Sequence, residues 1–288
     1  MGIKGLFPFL KKVAPDAFET VKLSTFAGQT VCLDANLMMH RYAHAQGDWL
    51  KGFCFQVVSM KNANIDPVYC IDGQPPEAKN ATLEKRRVQY QNALKRTQQG
   101  DANFDAHKKV FRVTPEELER LRFWCGVLGV RHIQAEGEAD SLMAGLVDQG
   151  MCSAAWSEDG DMLAYGCRVL LRGWKKDTVQ KVVLEDVLSA LKLDSSQFRE
   201  LCVLMGTDYC ERSFGPVTSL KHVLRGNPIP GKCNLSLEIF AAKETVSLPP
   251  RVQPNPQLDA IVDEHFASSS AAWKYRLVEA VGGRLCLV

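Results

Sequence analysis

The stretch Thr30-Val31-Cys32-Leu33-Asp34 shows the pattern from which the fold can be inferred, because it joins an apolar run directly to a carboxylate. The run is apolar without alternation, which is typical of a strand buried on both faces of a parallel sheet. Three further runs share this pattern, at residues 67–71, 153–156 and 168–171. Helical patterns separate the runs. Strands that alternate with helices predict an α/β fold, with a central, mostly parallel sheet flanked by helices.

The clearest helical pattern begins at Thr114, which can serve as an N-cap. Pro115 suits the first helical position, Glu117 would complete a capping box, and Gly126 can end the helix. Two more helices are predicted, over residues 136–150 and before Asp208.

The composition is that of a folded, globular protein, since 46% of the 288 residues are apolar and 24% are charged. With 35 basic and 33 acidic residues, the formal net charge is only +2, which excludes a protein that coats nucleic acid with its whole surface. Any surface for nucleic acid must therefore be a local patch. No apolar run approaches the ~20 residues that a membrane-spanning helix needs, so we expect no membrane association.

The cysteines and the first residues of the chain favour an intracellular protein in a reducing compartment. None of the 10 cysteines has CxxC spacing and several lie in apolar runs, so we expect reduced, buried thiols rather than a zinc site. Pro8 interrupts the short apolar stretch near the start, and a signal peptide is not expected.

Acidic residues follow three of the four predicted strands. Asp34 follows the first strand, Asp72 follows the second, and Asp159 and Asp161 come after the third. Because the carboxyl ends of parallel strands meet at one edge of an open sheet, we expect these carboxylates to lie close together. Three more acidic residues lie at the ends of predicted helices, and they are Glu136, Glu138 and Asp208.

Taken singly, each of these acids is more often a turn or helix-cap residue than a metal ligand. If all seven converge, they form a cage of hard oxygen ligands suited to Mg²⁺, or to Mn²⁺ in its place. Two ions held ~4 Å apart in such a cage can activate a water and stabilise the leaving oxygen of a phosphodiester. The joint pattern therefore predicts a site for two metal ions.

Residues 79–112 form a strongly basic segment. They contain nine basic and three acidic residues, a local net charge of +6 in a chain whose total is +2. A charge run is usually a solvated helix face. Beside an acidic cage, these cations could bring a phosphate backbone to the cleft, and the aromatic residues between them could stack on bases.

These motifs together resemble those of the flap endonuclease (XPG-type) 5′-nuclease family, in family order over residues 1–215, with all seven acidic positions of the family motif filled. The matching stretches are Met1-Gly2-Ile3-Lys4-Gly5-Leu6, Val31-Cys32-Leu33-Asp34-Ala35-Asn36, Tyr69-Cys70-Ile71-Asp72-Gly73-Gln74-Pro75-Pro76, Ala135-Glu136-Gly137-Glu138-Ala139-Asp140, Ser157-Glu158-Asp159-Gly160-Asp161-Met162 and Leu201-Cys202-Val203-Leu204-Met205-Gly206-Thr207-Asp208-Tyr209-Cys210.

The resemblance implies a metal-dependent nuclease with a PIN-like 5′-nuclease fold that cuts near the 5′ end of a branched duplex. The seven carboxylates would hold two ions. Lys79 and Arg86 match the family's basic pair on the first arch helix, which contacts the scissile phosphate. Residues 79–112 would form the helical arch, through or under which a single-stranded 5′ end passes. Further DNA contacts are implied for Gly2, His40, Arg87, Tyr90, Lys95 and Arg96.

The chain departs from the family pattern in several places. His40 stands where the family often has a tyrosine that stacks on the base beside the cut, and imidazole covers less area. After Cys210 the family has a Gly-rich helix–turn–helix that grips duplex through a monovalent cation, and residues 211–216 are shorter and keep one glycine. We therefore expect a reduced helix–turn–helix region.

Other expectations concern the ends and the partners of the chain. Six prolines over residues 226–256 predict loop or linker. The catalytic core would span residues 1–225, and residues 226–288 would form a Pro-rich linker and a short helical appendage. We find no sliding-clamp peptide and expect a monomer. A compact member of this kind would suit a large DNA virus and would act in the nucleus or at a viral replication site.

Three functions stay open. The leading hypothesis is a structure-specific 5′ nuclease that acts on DNA with a free 5′ end or a flap junction. An RNA endonuclease of the viral host-shutoff type would use the same metal site, since sugar discrimination depends on local shape. A non-catalytic nucleic-acid-binding module would have lost at least one metal ligand, and none is lost.

Overall fold

A computed structural model describes residues 2–46, 48–98 and 111–281. The chain forms two compact units, each assembled from three segments. The first unit consists of Met1–Lys22, Asp72–Val88 and Gln134–Val246. The second unit consists of Leu23–Ile71, Gln89–Ile133 and Ser247–Val288.

Strands and helices are numbered here in chain order. The strands are β1 (Phe18–Lys22), β2 (Thr30–Asp34), β3 (Asp66–Ile71), β4 (Arg131–Gln134), β5 (Ala154–Trp156), β6 (Val169–Lys175) and β7 (Thr178–Val183). The helices are α1 (Leu6–Val13), α2 (Ala35–Gln46), α3 (Trp49–Asn62), α4 (Asn80–Gln98), α5 (Pro115–Val127), α6 (Ala139–Asp148), α7 (Asp161–Ala164), α8 (Leu184–Leu191), α9 (Ser195–Met205), α10 (Pro216–Leu224), α11 (Asn234–Ala241), α12 (Leu258–His265) and α13 (Ala271–Ala280). Among the residues described, no helix combines the length and the apolar character needed to cross a membrane.

The first unit contains a mixed group of strands in the order β1-β7-β6-β5. β5 and β6 are parallel, whereas β7 is antiparallel to both β6 and β1. β5 is fully buried, and its three residues precede the loop that carries Asp159. The carboxyl end of the buried strand β5 therefore leads directly into the acidic loop.

The second unit contains β2, β3 and β4 in that order. β2 and β3 are parallel, in a register that runs from Thr30 opposite Asp66 to Asp34 opposite Cys70. A parallel pair needs a crossover connection, and α2 and α3 supply it. Aromatic side chains pack between α3 and β3, where the ring of Phe53 lies 4.9 Å from that of Tyr69.

The predicted α/β class is confirmed, and the four predicted strands correspond to β2, β3, β5 and β6. The strand pairing is mixed, because β1 and β7 add antiparallel pairs to the parallel ones. Neither β1 nor β7 is marked by an unbroken apolar run. Their burial alternates or is partial, as expected for strands with one solvated face.

The predicted helix after Thr114 is confirmed as α5, with one difference at its cap. The Thr114 hydroxyl accepts a hydrogen bond from the backbone N–H of Glu117 at 3.4 Å, as an N-cap does. The carboxylate of Glu117 does not complete a capping box, since it accepts a hydrogen bond from the indole N–H of Trp49 at 2.5 Å. The predicted buried thiols are confirmed, because all nine cysteines within the described ranges are buried.

The helices α9 and α10 flank the loop that carries Asp208, in the region where a reduced helix–turn–helix was expected. The expectation of loop or linker over residues 226–256 is wrong for α11. No proline lies between residues 231 and 248, so the prolines flank this helix and do not interrupt it. Phe240 on α11 is fully buried and its ring lies 4.7 Å from that of Tyr165 and 5.4 Å from that of Tyr209. α11 is therefore part of the packed first unit.

Phe240→Ala should lower the free energy of unfolding by about 3–5 kcal/mol, because it removes a buried ring from a packed aromatic cluster. Leu235→Ala, on the same helix at a position that is 54% exposed, serves as the control and should change stability by less than about 0.5 kcal/mol. Urea unfolding of the full chain measures both. Equal, small effects would show that residues 226–246 form a linker after all.

Candidate active site

Six of the seven predicted metal ligands lie in the first unit, and Asp34 lies at the end of β2 in the second. Those in the first unit come from four places in the chain. Asp72 follows β3, two carboxylates come from the loop after β5, and the others flank helices α6 and α9. The members of this group are Asp72, Glu136, Glu138, Asp159, Asp161 and Asp208.

The loop after β5 is held by its own side chains. The backbone N–H of Asp159 donates to the hydroxyl of Ser157 at 3.1 Å, and that of Asp161 donates to Oδ1 of Asp159 at 3.0 Å. Oδ1 of Asp161 also accepts a hydrogen bond from the backbone N–H of Ile3 at 3.1 Å. These bonds fix two carboxylates beside each other and attach the start of the chain to them.

Burial and neighbouring carboxylates destabilise the charged forms of Asp159 and Asp161. Burial raises the pKa of Asp161 well above its ordinary value, and the neighbouring Asp159, Asp208 and Glu138 raise it further. Burial is also the largest cause of the raised pKa of Asp159. Asp161 is only 4% exposed, so water screens this repulsion poorly. A cation bound nearby would therefore stabilise the ionised carboxylates.

Gly2 lies directly against this pair. A side chain at position 2 would overlap Oδ1 of Asp159 and crowd Oδ1 of Asp161, and the backbone there has a φ of +72°, which favours glycine. The structure thus places Gly2 beside the predicted ligands, at a position where no larger residue fits without a shift.

Glu138 precedes α6 and is held by a pair of tyrosines. Its Oε2 accepts a short hydrogen bond from the hydroxyl of Tyr209, and the hydroxyls of Tyr209 and Tyr165 lie 2.9 Å apart. Burial raises the pKa of both tyrosines, which therefore stay protonated. Because Tyr209 gives its single proton to Glu138, Tyr165 must donate to Tyr209. This chain of hydrogen bonds leaves Oε1 of Glu138 for other partners.

The start of the basic segment enters the carboxylate group. The ammonium of Lys79 pairs with Oε1 of Glu138 and lies 3.5 Å from Oδ2 of Asp208. Arg86 Nη2 lies 2.6 Å from the same Oδ2. Thr82, between them, donates its hydroxyl to the backbone carbonyl of Asp208 at 2.7 Å. The spacing of these three residues puts them on one helical face, which lies against the Asp208 loop.

Lys79 is kept charged by its neighbours. Burial alone would lower the pKa of this ammonium, but Glu138 and Asp208 outweigh burial and raise it. In the part of the chain described by the structure, no three His, Cys, Asp or Glu side chains converge closely enough to form a complete metal-binding group. The ammonium of Lys79 lies between Glu138 and Asp208, where it offsets the charge of both.

The remaining predicted ligands make backbone contacts. Oδ1 of Asp34 accepts from the N–H of Leu37 at 2.8 Å, at the start of α2. Oδ1 of Asp72 accepts from the N–H of Ala139 at 2.8 Å, at the start of α6. In both, the carboxylate accepts a hydrogen bond from a backbone N–H near the start of a helix. Glu136 has an exposed side chain in the loop before α6.

The other predicted DNA contacts lie along α2 and α4. His40 contacts Phe111 edge to face at 5.3 Å, and the guanidinium of Arg112 lies 5.3 Å from the ring centre of Tyr90. Arg87 is exposed and pairs with Glu84 at 3.7 Å, and Lys95 is exposed. Arg96 lies within α4. The part of the predicted arch at residues 99–110 lies outside the described residues.

Three residues of this site were missed by the sequence analysis, namely Thr82, Tyr165 and Tyr209. Tyr209 follows Asp208 directly in the sequence, but nothing in that stretch alone indicates a role for its side chain. Its partner Glu138 is 71 positions away, and Tyr165 is 44 positions away. A contact between residues so far apart in the chain produces no local sequence pattern. The one indication in the sequence is that Tyr209 is an aromatic residue next to a predicted ligand.

The candidate ligands have the chemistry that suits a divalent cation of the magnesium class, although no three of them converge among the described residues. All are carboxylates, and the pKa values of Asp159 and Asp161 are raised by burial and by neighbouring carboxylates. Hard cations prefer such ligands. A bound cation would relieve the repulsion that the fold otherwise contains.

Two family models match the chain. The XPG N-terminal domain matches residues 1–93, and the XPG I-region matches residues 129–208. Together these ranges contain all seven candidate ligands together with Lys79 and Arg86.

Sequence relatives and a solved structure agree with these matches. Flap endonuclease 1 of Meyerozyma guilliermondii is 32% identical over 251 residues, which is 77% of this chain and 67% of that protein. Flap endonuclease 1 of Debaryomyces hansenii is 31% identical over 249 residues, 77% of this chain and 66% of that protein. The chain thus spans about two thirds of the length of these curated relatives. The catalytic core of Rad2 in complex with a DNA substrate has a TM-score of 0.74 at 16% identity, covers 97% of this chain and 100% of its own, and shows the same fold.

Asp161→Asn should leave the protein in EDTA as stable as the wild type, or more stable, because it removes one repelling charge and keeps the Oδ1 that accepts from Ile3. The advantage should grow as the pH rises above ~3.9, the ordinary pKa of an unfolded aspartate. Over that range the folded wild type holds its proton more tightly than the unfolded chain does, so its stability falls with pH. The variant carries no such proton.

Thermal melts in EDTA from pH 4 to 8 measure this difference. The control is Asp194→Ala, which removes a true N-cap whose Oδ1 accepts from Gln197 at 2.8 Å and should cost about 1 kcal/mol. If Asp161→Asn lost as much stability as this control, Asp161 would be a structural residue and not part of a repelling cluster.

Proposed function

The chain belongs to the XPG-type flap endonuclease family, and we propose that it is a structure-specific 5′ nuclease. It would hydrolyse phosphodiesters of DNA that carries a free 5′ end or a 5′ flap, in replication, repair or recombination. Relatives named flap endonuclease and a solved neighbour described with a DNA substrate support this substrate class.

One observation carries the proposal. The first cations of the basic segment, Lys79 and Arg86, are in direct ion pairs with Glu138 and Asp208. A solvated helix face would not place a mostly buried ammonium between two carboxylates. The arrangement instead combines, within one unit, ligands for cations and positive charges that can face a phosphate.

We propose that the cofactor is a pair of Mg²⁺ ions, for which Mn²⁺ can substitute. The residues of the first unit that would hold them are those of the carboxylate group, and the match to the family motif assigns Asp34 to the same set. When bound, such ions supply Lewis-acid stabilisation of the phosphoryl and leaving oxygens and make a water molecule more acidic.

Side chains of the protein would stabilise the transition state together with the ions. Lys79 and Arg86 can exchange their carboxylate partners for the non-bridging oxygens of the scissile phosphate, where negative charge accumulates in the transition state. Arg86 presents a planar fork suited to two oxygens, whereas Lys79 offers a point charge. Both are therefore proposed as catalytic residues.

Tyr209 and Gly2 are proposed to support the same step. Tyr209 fixes one oxygen of Glu138, so that the other oxygen keeps a defined direction. Gly2 leaves free the space beside Asp159 that a side chain would fill. Residues Arg87, Tyr90, Lys95 and Arg96 on α4, with His40 on α2, are proposed to contact the DNA strand.

We further propose that the protein acts as a monomer inside the cell, in the nucleus or at a viral replication site, and without a sliding-clamp peptide. The loop between α9 and α10 keeps a single glycine after Cys210. Duplex binding through a monovalent cation at that place is therefore expected to be weak.

A cleavage assay on three substrates of matched length tests the proposed function. We expect rapid cutting of 5′-flap DNA in Mg²⁺, slower removal of nucleotides from nicked duplex, and little cutting of single-stranded RNA. Rapid RNA cleavage with little flap cleavage would support the endoribonuclease. Binding of flap DNA without any cleavage in Mg²⁺ or Mn²⁺ would support the non-catalytic module. Asp161→Asn is the negative control and should bind flap DNA without cutting it.

Lys79→Ala should lower the single-turnover rate of flap cleavage by ~10²–10³, because it removes one positive group from the transition state. DNA affinity should change much less. The control is Lys85→Ala on α4, the helix that begins directly after Lys79; the side chain of Lys85 is 69% exposed and pairs with Glu211. It removes the same charge and should leave the rate nearly unchanged. An equal loss of binding and no loss of rate in Lys79→Ala would mean that α4 only collects DNA.

A further inference from the structure

A second group of charges lies in the second unit, around a cavity of about 350 Å³. The cavity is formed where β2, β3 and β4 begin and where the chain passes after residue 250. Its lining includes the charged residues Lys61, Asp66, Arg131 and Arg251, together with Gly28 and Gly129.

Three cations surround one carboxylate in this cavity. Oδ2 of Asp66 lies 2.8 Å from Nη2 of Arg131 and 3.0 Å from Nε of Arg251. Oδ1 of Asp66 lies 4.0 Å from the ammonium of Lys61. These four are the charged residues of the described lining, so the cavity carries a net charge of +2. One carboxylate cannot neutralise three cations.

Arg131 holds one of these positive charges in a fixed, buried position. The residue is only 7% exposed, and its terminal nitrogens donate to the carbonyl of Pro249 and the hydroxyl of Thr30, each at 3.3 Å. Its Nε–H is buried and has no hydrogen-bond partner among the described residues. A buried and incompletely paired guanidinium is costly, and such groups in proteins usually serve a ligand or a structural partner.

The surplus charge also acts on Lys61. Burial lowers the pKa of this ammonium, and Arg251 and Arg131 lower it further, against the effect of Asp66. Lys61 is also the most distant of the three cations from Asp66. An anion in the cavity would stabilise all three cations at once.

The cavity is separate from the candidate metal ligand of the same unit. Thr30 and Asp66 face each other at the starts of β2 and β3, whereas Asp34 ends β2. Four residue steps at ~3.3 Å each put the two ends of β2 ~13 Å apart. The cavity therefore lies at the opposite edge of these strands from Asp34.

We propose that this cavity binds a phosphate monoester, such as the phosphate group of a mononucleotide. A phosphate monoester carries a charge of about −1.5 to −2 at pH 7, which matches the surplus of +2, whereas a carboxylate would neutralise half of it. Two guanidinium groups match the oxygen geometry of phosphate. The volume lies within the range of ~300–1,000 Å³ that is usual for small-molecule sites, so the cavity has room for more than a bare phosphate.

Calorimetric titration of the full chain in EDTA, at constant ionic strength, tests the proposal. The probes are inorganic phosphate, a deoxynucleoside 5′-monophosphate and the same nucleoside without phosphate. We expect phosphate to bind with a dissociation constant of about 1 mM or tighter. The monophosphate should bind at least as tightly and the nucleoside should not bind. Failure of phosphate and of the monophosphate to bind would overturn the proposal.

Two sets of variants locate the binding. Lys61→Gln with Arg251→Gln should weaken phosphate binding at least tenfold, and this pair of changes leaves the buried Arg131 in place. The charge-matched control, Lys12→Gln with Arg225→Gln, changes exposed residues and should bind as the wild type does. Lys79→Ala should also bind phosphate normally. Binding that is lost in Lys79→Ala and kept in the Lys61/Arg251 variant would place the anion at the candidate active site and overturn the proposal.

A third variant separates an anion site from a structural ion-pair cluster. Asp66→Asn raises the surplus from +2 to +3 and should tighten phosphate binding, while phosphate should restore any lost thermal stability. If Asp66 only holds the cations in place, the variant would be less stable and phosphate would not restore it. The Lys61/Arg251 variant decides the matter if Asp66→Asn does not fold.

Discussion

The electrostatic cost of burying Asp159 and Asp161 as carboxylates governs the arrangement of the groups around them. A short loop after a three-residue strand places both carboxylates side by side, and burial prevents water from screening them. The neighbouring groups are arranged around this charge. Gly2 takes no space beside it, and Lys79 brings a cation next to Glu138 and Asp208. The site is therefore a region of stored repulsion, and a divalent cation would relieve it.

Features that follow from the position of a residue at the end of a strand can be predicted from the sequence. Asp34 and Asp72 could be identified as edge residues because a buried strand precedes each of them, and the structure confirms both strands. The pairing of Lys79 with Glu138 could not be predicted, since the two residues are 59 positions apart and the contact depends on where α4 lies against α6. Side-chain contacts between distant segments follow from packing, and no periodic pattern records them.

Proline content misled the prediction for α11, and the reason is physical. Proline ends a helix only where it replaces an internal N–H, so prolines on either side of residues 231–248 mark the limits of a possible helix. Phe240 is the residue that joins this helix to the site, because its ring packs on Tyr165 and Tyr209. The tyrosine pair that holds Glu138 is thus supported by a segment whose composition alone is that of a linker.

A net charge of +2 hides local excesses of both signs. Acidic side chains are concentrated after β5 and beside Asp208, whereas cations exceed acids in α4 and in the cavity around Asp66. Salt screens exposed charges beyond ~10 Å, so the net charge of the whole chain says little about the charge around any one site. A near-neutral total is therefore compatible with strong binding of metal ions in one place and of phosphate groups in another. The distribution of charge in the fold, and not its total, determines what the protein can bind.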